Sequence, residues 1–164
     1  GSRKTITSVC SEDSMAHQSQ LFDYSYTIST GKSSIQYHQT VFFINSKQLA
    51  LPQFHQKPET FFTRLWSALG MEDIDFNNFS EYSDRFHLKG PYEEVIRYYF
   101  SKEVLSLLSN QPPFYMEGMN YYFILYLHNK LCPPEQLTAL RNLGMMLYEL
   151  FKIRTQESEQ LLLD

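Results

Sequence analysis

From Leu21 onward the chain alternates. Phe22, Tyr24, Tyr26 and Ile28 are separated by Asp23, Ser25, Thr27 and Ser29, and a period of two predicts a β-strand with the apolar side chains on one buried face. Ser29 to Ser34 is small, polar and contains Gly31, so it reads as a turn. Ile35 to Asn45 returns as a second, longer strand. Its Val41-Phe42-Phe43-Ile44 run has no polar face, which predicts burial on both sides. Leu49-Ala50-Leu51 predicts a short third strand. Pro52 lacks a backbone donor and belongs at an edge or a bulge.

The spacing then changes. Pro58 suits the first position of a helix. Phe61, Phe62, Leu65, Trp66 and Leu69 follow at helical intervals, and Gly70 suits the stop. Ile74-Asp75-Phe76 and Phe86-His87-Leu88 predict short extended pieces around an acidic loop. Gly90-Pro91 opens a helix with Val95, Ile96, Tyr99 and Phe100 as its stripe. Ser101 followed by Glu103 predicts a fresh N-cap, hence a break, and then a second helix carrying Val104, Leu105, Leu107 and Leu108. After Pro112-Pro113, Phe114 to Glu117 and Tyr121 to His128 predict a hairpin across Gly118-Met119-Asn120. Pro133-Pro134 launches the longest helix, with Leu137, Leu140, Leu143, Leu147 and Leu150 on one stripe. Gly144 within it leaves room for close approach by another element.

The order β-β-β-α-β-α-α-β-β-α has hairpins and no βαβ rhythm. It predicts an α+β fold: an antiparallel sheet that could curl toward a barrel, with helical insertions and a long C-terminal helix packed on it. Residues 1–20 read as a tag remnant (Gly1-Ser2) and a polar, unordered leader. Residues 21–154 form a single domain, and 155–164 an acidic C-terminal tail.

Composition narrows the function classes. A chain of 164 residues fits one domain. Aromatics make up 16%, with 13 Phe and 12 Tyr, enough to furnish a core or an interface. The formal net charge is −4 with no strongly basic stretch, so the electrostatic requirement for nucleic acid is missing. Residues 31–58 hold Lys32, Lys47 and Lys57 and no acid, while 72–84 hold Glu72, Asp73, Asp75, Glu81 and Asp84 and no base. Cys10 and Cys132 belong to no paired spacing and predict free thiols in a reducing compartment. No run of about 18 apolar residues exists, so no helical membrane span is expected among these residues.

No motif carries chemistry. Gly31-Lys32-Ser33 resembles the end of a phosphate-binding loop, but Tyr26 stands where the first glycine is needed and a strand follows. Asp73, Asp75 and Asn77 alternate like the start of a calcium loop, yet the sixth and twelfth positions are Asn78 and Asp84. No two of His17, His38, His55, His87 and His128 lie at metal spacing on one helix, and no Gly-x-Ser-x-Gly elbow occurs. The expectation is no catalytic residue, no metal, no cofactor, and no histidine–carboxylate pair assembled in a cleft.

The sequence Phe22-Asp23-Tyr24-Ser25-Tyr26, then Gln39-Thr40-Val41, Leu51-Pro52-Gln53-Phe54 with Pro58-Glu59, Asp73-Ile74-Asp75-Phe76, Tyr82-Ser83 and Phe86-His87-Leu88-Lys89-Gly90, with Glu93, Arg97 and Phe100, resembles an uncharacterised family of bacterial proteins that pair hydrophobic N-terminal segments with a soluble domain. The resemblance covers about Leu21 to Leu108. It implies a domain on the cytoplasmic side of a bacterial membrane, tethered through segments outside these 164 residues, and implies nothing about chemistry.

The expected function is a non-catalytic binding or scaffolding module, with a protein partner or self-association. The alternatives are a carrier of an apolar small molecule or lipid between sheet and helices, and a cryptic hydrolase. One structural device is expected. Arg97 follows the apolar Ile96, and a charge so near the core must snorkel outward or find a carboxylate. Asp73 and Asp75 are the candidates for a latch holding the acidic loop to the helix, with Glu93 one turn earlier as the local competitor.

Overall fold

The computed structural model describes residues 3–59 and 70–163. The strands are β1 (Lys4–Asp13), β2 (Gln18–Thr30), β3 (Ser33–Asn45), β4 (Leu51–Pro58), β5 (Phe86–Lys89), β6 (Tyr115–Asn120) and β7 (Tyr122–Tyr126). The described helices are α1 (Ser80–Ser83), α2 (Glu93–Tyr99), α3 (Lys102–Ser109) and α4 (Pro134–Leu161). The architecture is α+β, as the order of elements predicted. Among the described residues the strands form a seven-stranded sheet in which every neighbouring pair is antiparallel, in the order β1-β2-β3-β7-β6-β4-β5. The sheet is open. The β6–β7 hairpin is inserted between β3 and β4, so the connection from Asn45 to Leu51 passes over two strands.

One face of the sheet carries the core. Leu21, Phe42, Ile44, Phe54, Phe86, Leu88, Met116, Phe123 and Leu125 are buried beneath Ile96, Phe100, Leu105, Leu108, Leu143, Leu147 and Phe151 of the three longer helices. Phe54 sits at the centre, edge-on to Phe100 at 5.0 Å and 6.0 Å from Phe151. Gly144 permits the contact: a Cβ there would overlap the ring of Phe42. Two buried polar side chains of the core satisfy each other and the backbone. Tyr82 Oη donates to Gln56 Oε1 at 2.7 Å, and Gln56 Nε2 donates to the Phe114 carbonyl.

Several expectations need correction. Residues 4–13 are not an unordered leader; β1 pairs with β2 along its length, with a bulge between Ser8 and Cys10. As an edge strand whose described side chains are exposed it has no apolar face to reveal it; Thr5, Ile6 and Thr7 offer only β-branched propensity. The third strand runs further than expected, Leu51–Pro58, absorbing Pro52 at a register shift against β6. Pro58 pairs with Phe86 and closes that strand where a helix start was expected. The helix expected from Phe61 to Leu69, with Phe62 and Trp66 as core residues, lies outside the described residues. Ile74-Asp75-Phe76 forms no strand, although Ile74 N–H bonds the Leu88 carbonyl at 2.8 Å.

The break at Ser101 is as expected: its side chain accepts the Val104 N–H at the start of α3. The hairpin turn falls at Asn120-Tyr121, with Asn120 at φ +54°, while Gly118 lies within β6 against Phe54. The acidic tail is not separate, because α4 continues to Leu161 and Thr155 is buried. Thr155 Oγ1 receives the Ala50 N–H at 3.2 Å and meets Tyr99 Oη at 3.0 Å.

Candidate functional site on the outer sheet face

Register assigns the other face. Lys4 and Ile6 lie opposite Tyr26 and Tyr24; Phe22 opposes Val41 and Tyr26 opposes Tyr37. Val41 and Tyr115 both oppose Tyr126, and Glu117 opposes His55 and Ile124. Side chains directly opposite share a face, so these residues form one surface away from the described helices. The strand through Phe22, Tyr24, Tyr26 and Ile28 is correctly periodic, but these side chains face outward and Ile28 is exposed. Its polar positions turn inward instead, beyond the packed core, where cross-strand bonds satisfy them. Thr40 Oγ1 donates to Asp23 at 2.6 Å and Ser25 Oγ meets His38 Nδ1 at 2.7 Å.

The outer rings form a ladder. Tyr24 stacks on Tyr26 at 5.5 Å and Tyr26 on Tyr37 at 4.9 Å; Tyr37 meets His128 at 5.4 Å, His128 meets Tyr115 at 5.6 Å, and Tyr115 stacks on Tyr126 at 5.3 Å. Beside it runs a groove of about 520 Å³ with Val41 and Ile124 among its lining, Phe22, Tyr24, Tyr26 and Tyr126 on its walls, and Lys4, Gln39 and Glu117 as its polar groups. Burial raises the phenols of Tyr26 and Tyr126 above their ordinary value and lifts that of Tyr115 to about 12. They therefore remain hydrogen-bond donors throughout the physiological range.

Glu117 is the anionic group of this groove. Its Oε1 accepts from Tyr126 Oη at 3.0 Å and its Oε2 lies 3.5 Å from His55 Nδ1. The bond to His55 is the main cause of a carboxyl held below its usual range, with Tyr126 adding to it and burial opposing.

At the β4–β5 end, the same face becomes charged. His87 Nε2 lies 2.7 Å from Glu59 Oε2, and His87 Nδ1 contacts Asp73 Oδ2. Asp73 Oδ1 accepts the Leu88 N–H at 2.8 Å. A histidine–carboxylate pair is thus present, where the expectation was that none would be assembled in a cleft, since a residue 14 positions away, out of any helical register, supplies the partner. Glu59, Asp73 and His87 can each offer a donor atom within 4.8 Å of the others, the kind of set that zinc or manganese accepts. The local charge opposes that use. Lys57, directly opposite His87 and only 2% exposed, feels both carboxylates; burial and then Lys89 lower its pKa while Asp73 and Glu59 raise it. We read the cluster as a tie between β4, β5 and the preceding loop.

The expected latch has a different anchor. Arg97 Nε and Nη2 bond Glu93 Oε1 at 2.9 and 2.7 Å. Its Nη1 donates at 2.7 Å to the backbone carbonyl of Asp75, and the guanidinium lies 5.2 Å over the Phe76 ring. No Asp75 or Asp73 carboxylate takes part: Asp75 is exposed and Asp73 is committed to His87 and Leu88. Arg97 does join the loop to α2, but through the backbone.

Serine and histidine also meet at Ser25–His38. Among the described residues no carboxylate orients His38, and its backbone N–H is bound to Asn129 Oδ1. A second concavity, about 320 Å³, opens between the sheet and α4 at Thr40, Phe114, Lys130, Cys132, Leu140 and Leu143.

The site residues Glu117, Tyr26 and Tyr126 were not singled out by sequence. The usable signal was Tyr at alternate positions of paired strands, which composition alone assigns equally to core or interface. Compared with family models, curated proteins and solved structures, the chain finds no match in any of the three.

Proposed function

We propose that the protein is a non-catalytic binding module whose ligand surface is the outer face of the sheet. The observation that carries this reading is the tyrosine-walled groove, built on paired strands while the opposite face is filled by the core. Rigid aromatic walls with phenolic hydroxyls give large contact area at small entropic loss, and strands hold them in place better than loops would. The resemblance to a tethered bacterial family adds a cytoplasmic, membrane-proximal setting. Hydrolysis is disfavoured because Ser25–His38 has no orienting acid among the described residues and His87 bonds two carboxylates and no nucleophile.

Screening against a displayed library of random peptides tests the reading. The wild type should enrich ligands that a Tyr24→Ser/Tyr26→Ser variant fails to retain. Failure to enrich any ligand, or retention unchanged by the double variant, would overturn it.

The pocket at Cys132 supports a second reading, carriage of a small apolar molecule. Its volume lies within the usual range of ligand sites, about 300–1,000 Å³. Ligands lost on Leu143→Trp, and indifferent to the outer-face changes, would transfer the function there.

A further inference from the structure

We propose that the outer-face groove recognises a cationic side chain, the lysine or arginine of a basic segment in a partner protein, seated against Glu117 and the ring of Tyr126. The inference rests on the outer-face binding reading and names its partner's chemistry.

Three features converge. Glu117 lines the groove, with Oε1 accepting from Tyr126 Oη at 3.0 Å and Oε2 3.5 Å from His55 Nδ1. A carboxylate so held needs little reorganisation to receive a cation. The adjacent walls are tyrosines, whose electron-rich rings attract ammonium and guanidinium groups. Val41 and Ile124 beside them are apolar and offer contact to the methylene stem of a lysine or arginine.

Among the described residues the ion pair of Glu117 is with His55. Lys4 also lines the groove, but from β1, four strands from β6, which at about 4.8 Å per strand is roughly 19 Å at the backbone. His55 and Lys89 lie on the β4–β5 side of Glu117, whereas the groove opens over β7, β3 and β2. A groove crossing several strands suits an extended polypeptide, with one cationic side chain reaching Glu117 and the remainder lying along the tyrosine ladder.

The test is an NMR titration of the whole chain with two blocked pentapeptides, identical except for a central lysine or its uncharged isostere norleucine. The lysine peptide should bind about tenfold more tightly, with shifts centred on Glu117, Ile124 and Tyr126. Glu117→Gln should bring the two peptides within about twofold of each other. Tyr126→Phe, which keeps the charge and removes the tether, should retain part of the preference. Amide spectra of each variant report that it is folded. Equal binding of the two peptides by the wild type, or a preference that survives Glu117→Gln, overturns the cation inference and leaves the outer-face reading standing. Shifts from neither peptide overturn both. Binding of phosphatidylcholine vesicles in place of the lysine peptide would also overturn the inference, since the cation would then belong to a lipid surface.

Discussion

Glu117 offers the most direct reading of acid behaviour at a single residue. Its hydrogen bonds hold the carboxyl below the ordinary 4.5. For a lowered carboxyl, the stabilisation is fully present above the unfolded-state value and is lost as pH falls through the folded one. Wild type and Glu117→Gln should therefore differ at neutral pH and converge in the acid range below 4.5. Urea midpoints measured across that range check it, and a difference that grows toward low pH would contradict the assignment. Gly144 makes a steric counterpart. Its missing Cβ is where Phe42 lies, so Gly144→Ala should destabilise by about 1–3 kcal/mol despite alanine's better helix propensity. Arg97 gives a third case. Its partner in the loop is the Asp75 carbonyl, which survives Asp75→Ala. A double-mutant cycle of Arg97→Ala with Asp75→Ala should be additive within about 0.5 kcal/mol. The same cycle with Glu93→Ala should show a coupling of about 0.2–0.5 kcal/mol, the value of a surface i,i+4 pair.

At the scale of elements, what the sequence made legible follows from which elements carry periodic burial. The hairpin β2–β3, the α2/α3 break at Ser101 and the start and apolar stripe of α4 all show in apolar spacing or caps. The edge strand β1 does not, because most of its side chains touch little and its identity lies in backbone pairing. The end of α4 was misread as a tail because acidic residues dominate it, although a single inward position, Thr155, fastens it. There Thr155 meets Tyr99 and receives the Ala50 N–H, joining α4 to α2 and to the entry of β4. Thr155→Val keeps the shape and leaves these groups unpaired. An unmet buried donor costs about 1–3 kcal/mol, so chemical denaturation should show a loss of that size, where a detached tail would show none. The face assignment of β2 failed for a different reason. Alternation fixes that two faces exist, but Tyr serves either, and the cross-strand bonds of Asp23 and Ser25 let the polar face turn inward. The site was illegible for the same cause: Glu117, His55 and Tyr126 come from three strands whose adjacency depends on insertion of the β6–β7 hairpin beside β4.

For the whole molecule, the sheet separates two tasks. One face meets the described helices and holds the chain folded; the other carries tyrosines, Glu117 and the charged end around His87. This separation predicts that stability and binding can be changed independently. Phe100 is buried against Phe54 and Phe151, and Phe100→Ala should cost about 3–5 kcal/mol in unfolding free energy. No part of its ring belongs to the groove, so whatever fraction remains folded should bind with the wild-type dissociation constant. Tyr26 is the converse case. It stacks on Tyr24 and Tyr37 at the surface, and such ring pairs contribute about 0.5–1.5 kcal/mol each beyond their area. Tyr26→Ser should therefore lose appreciably less stability than Phe100→Ala, while removing one wall of the groove and weakening the lysine peptide about tenfold. Denaturation curves and peptide titrations on the same two proteins decide the matter. If the folded fraction of Phe100→Ala binds more weakly than the wild type, the two faces are not independent, and if Tyr26→Ser leaves the peptide affinity intact, the outer face is not the binding surface.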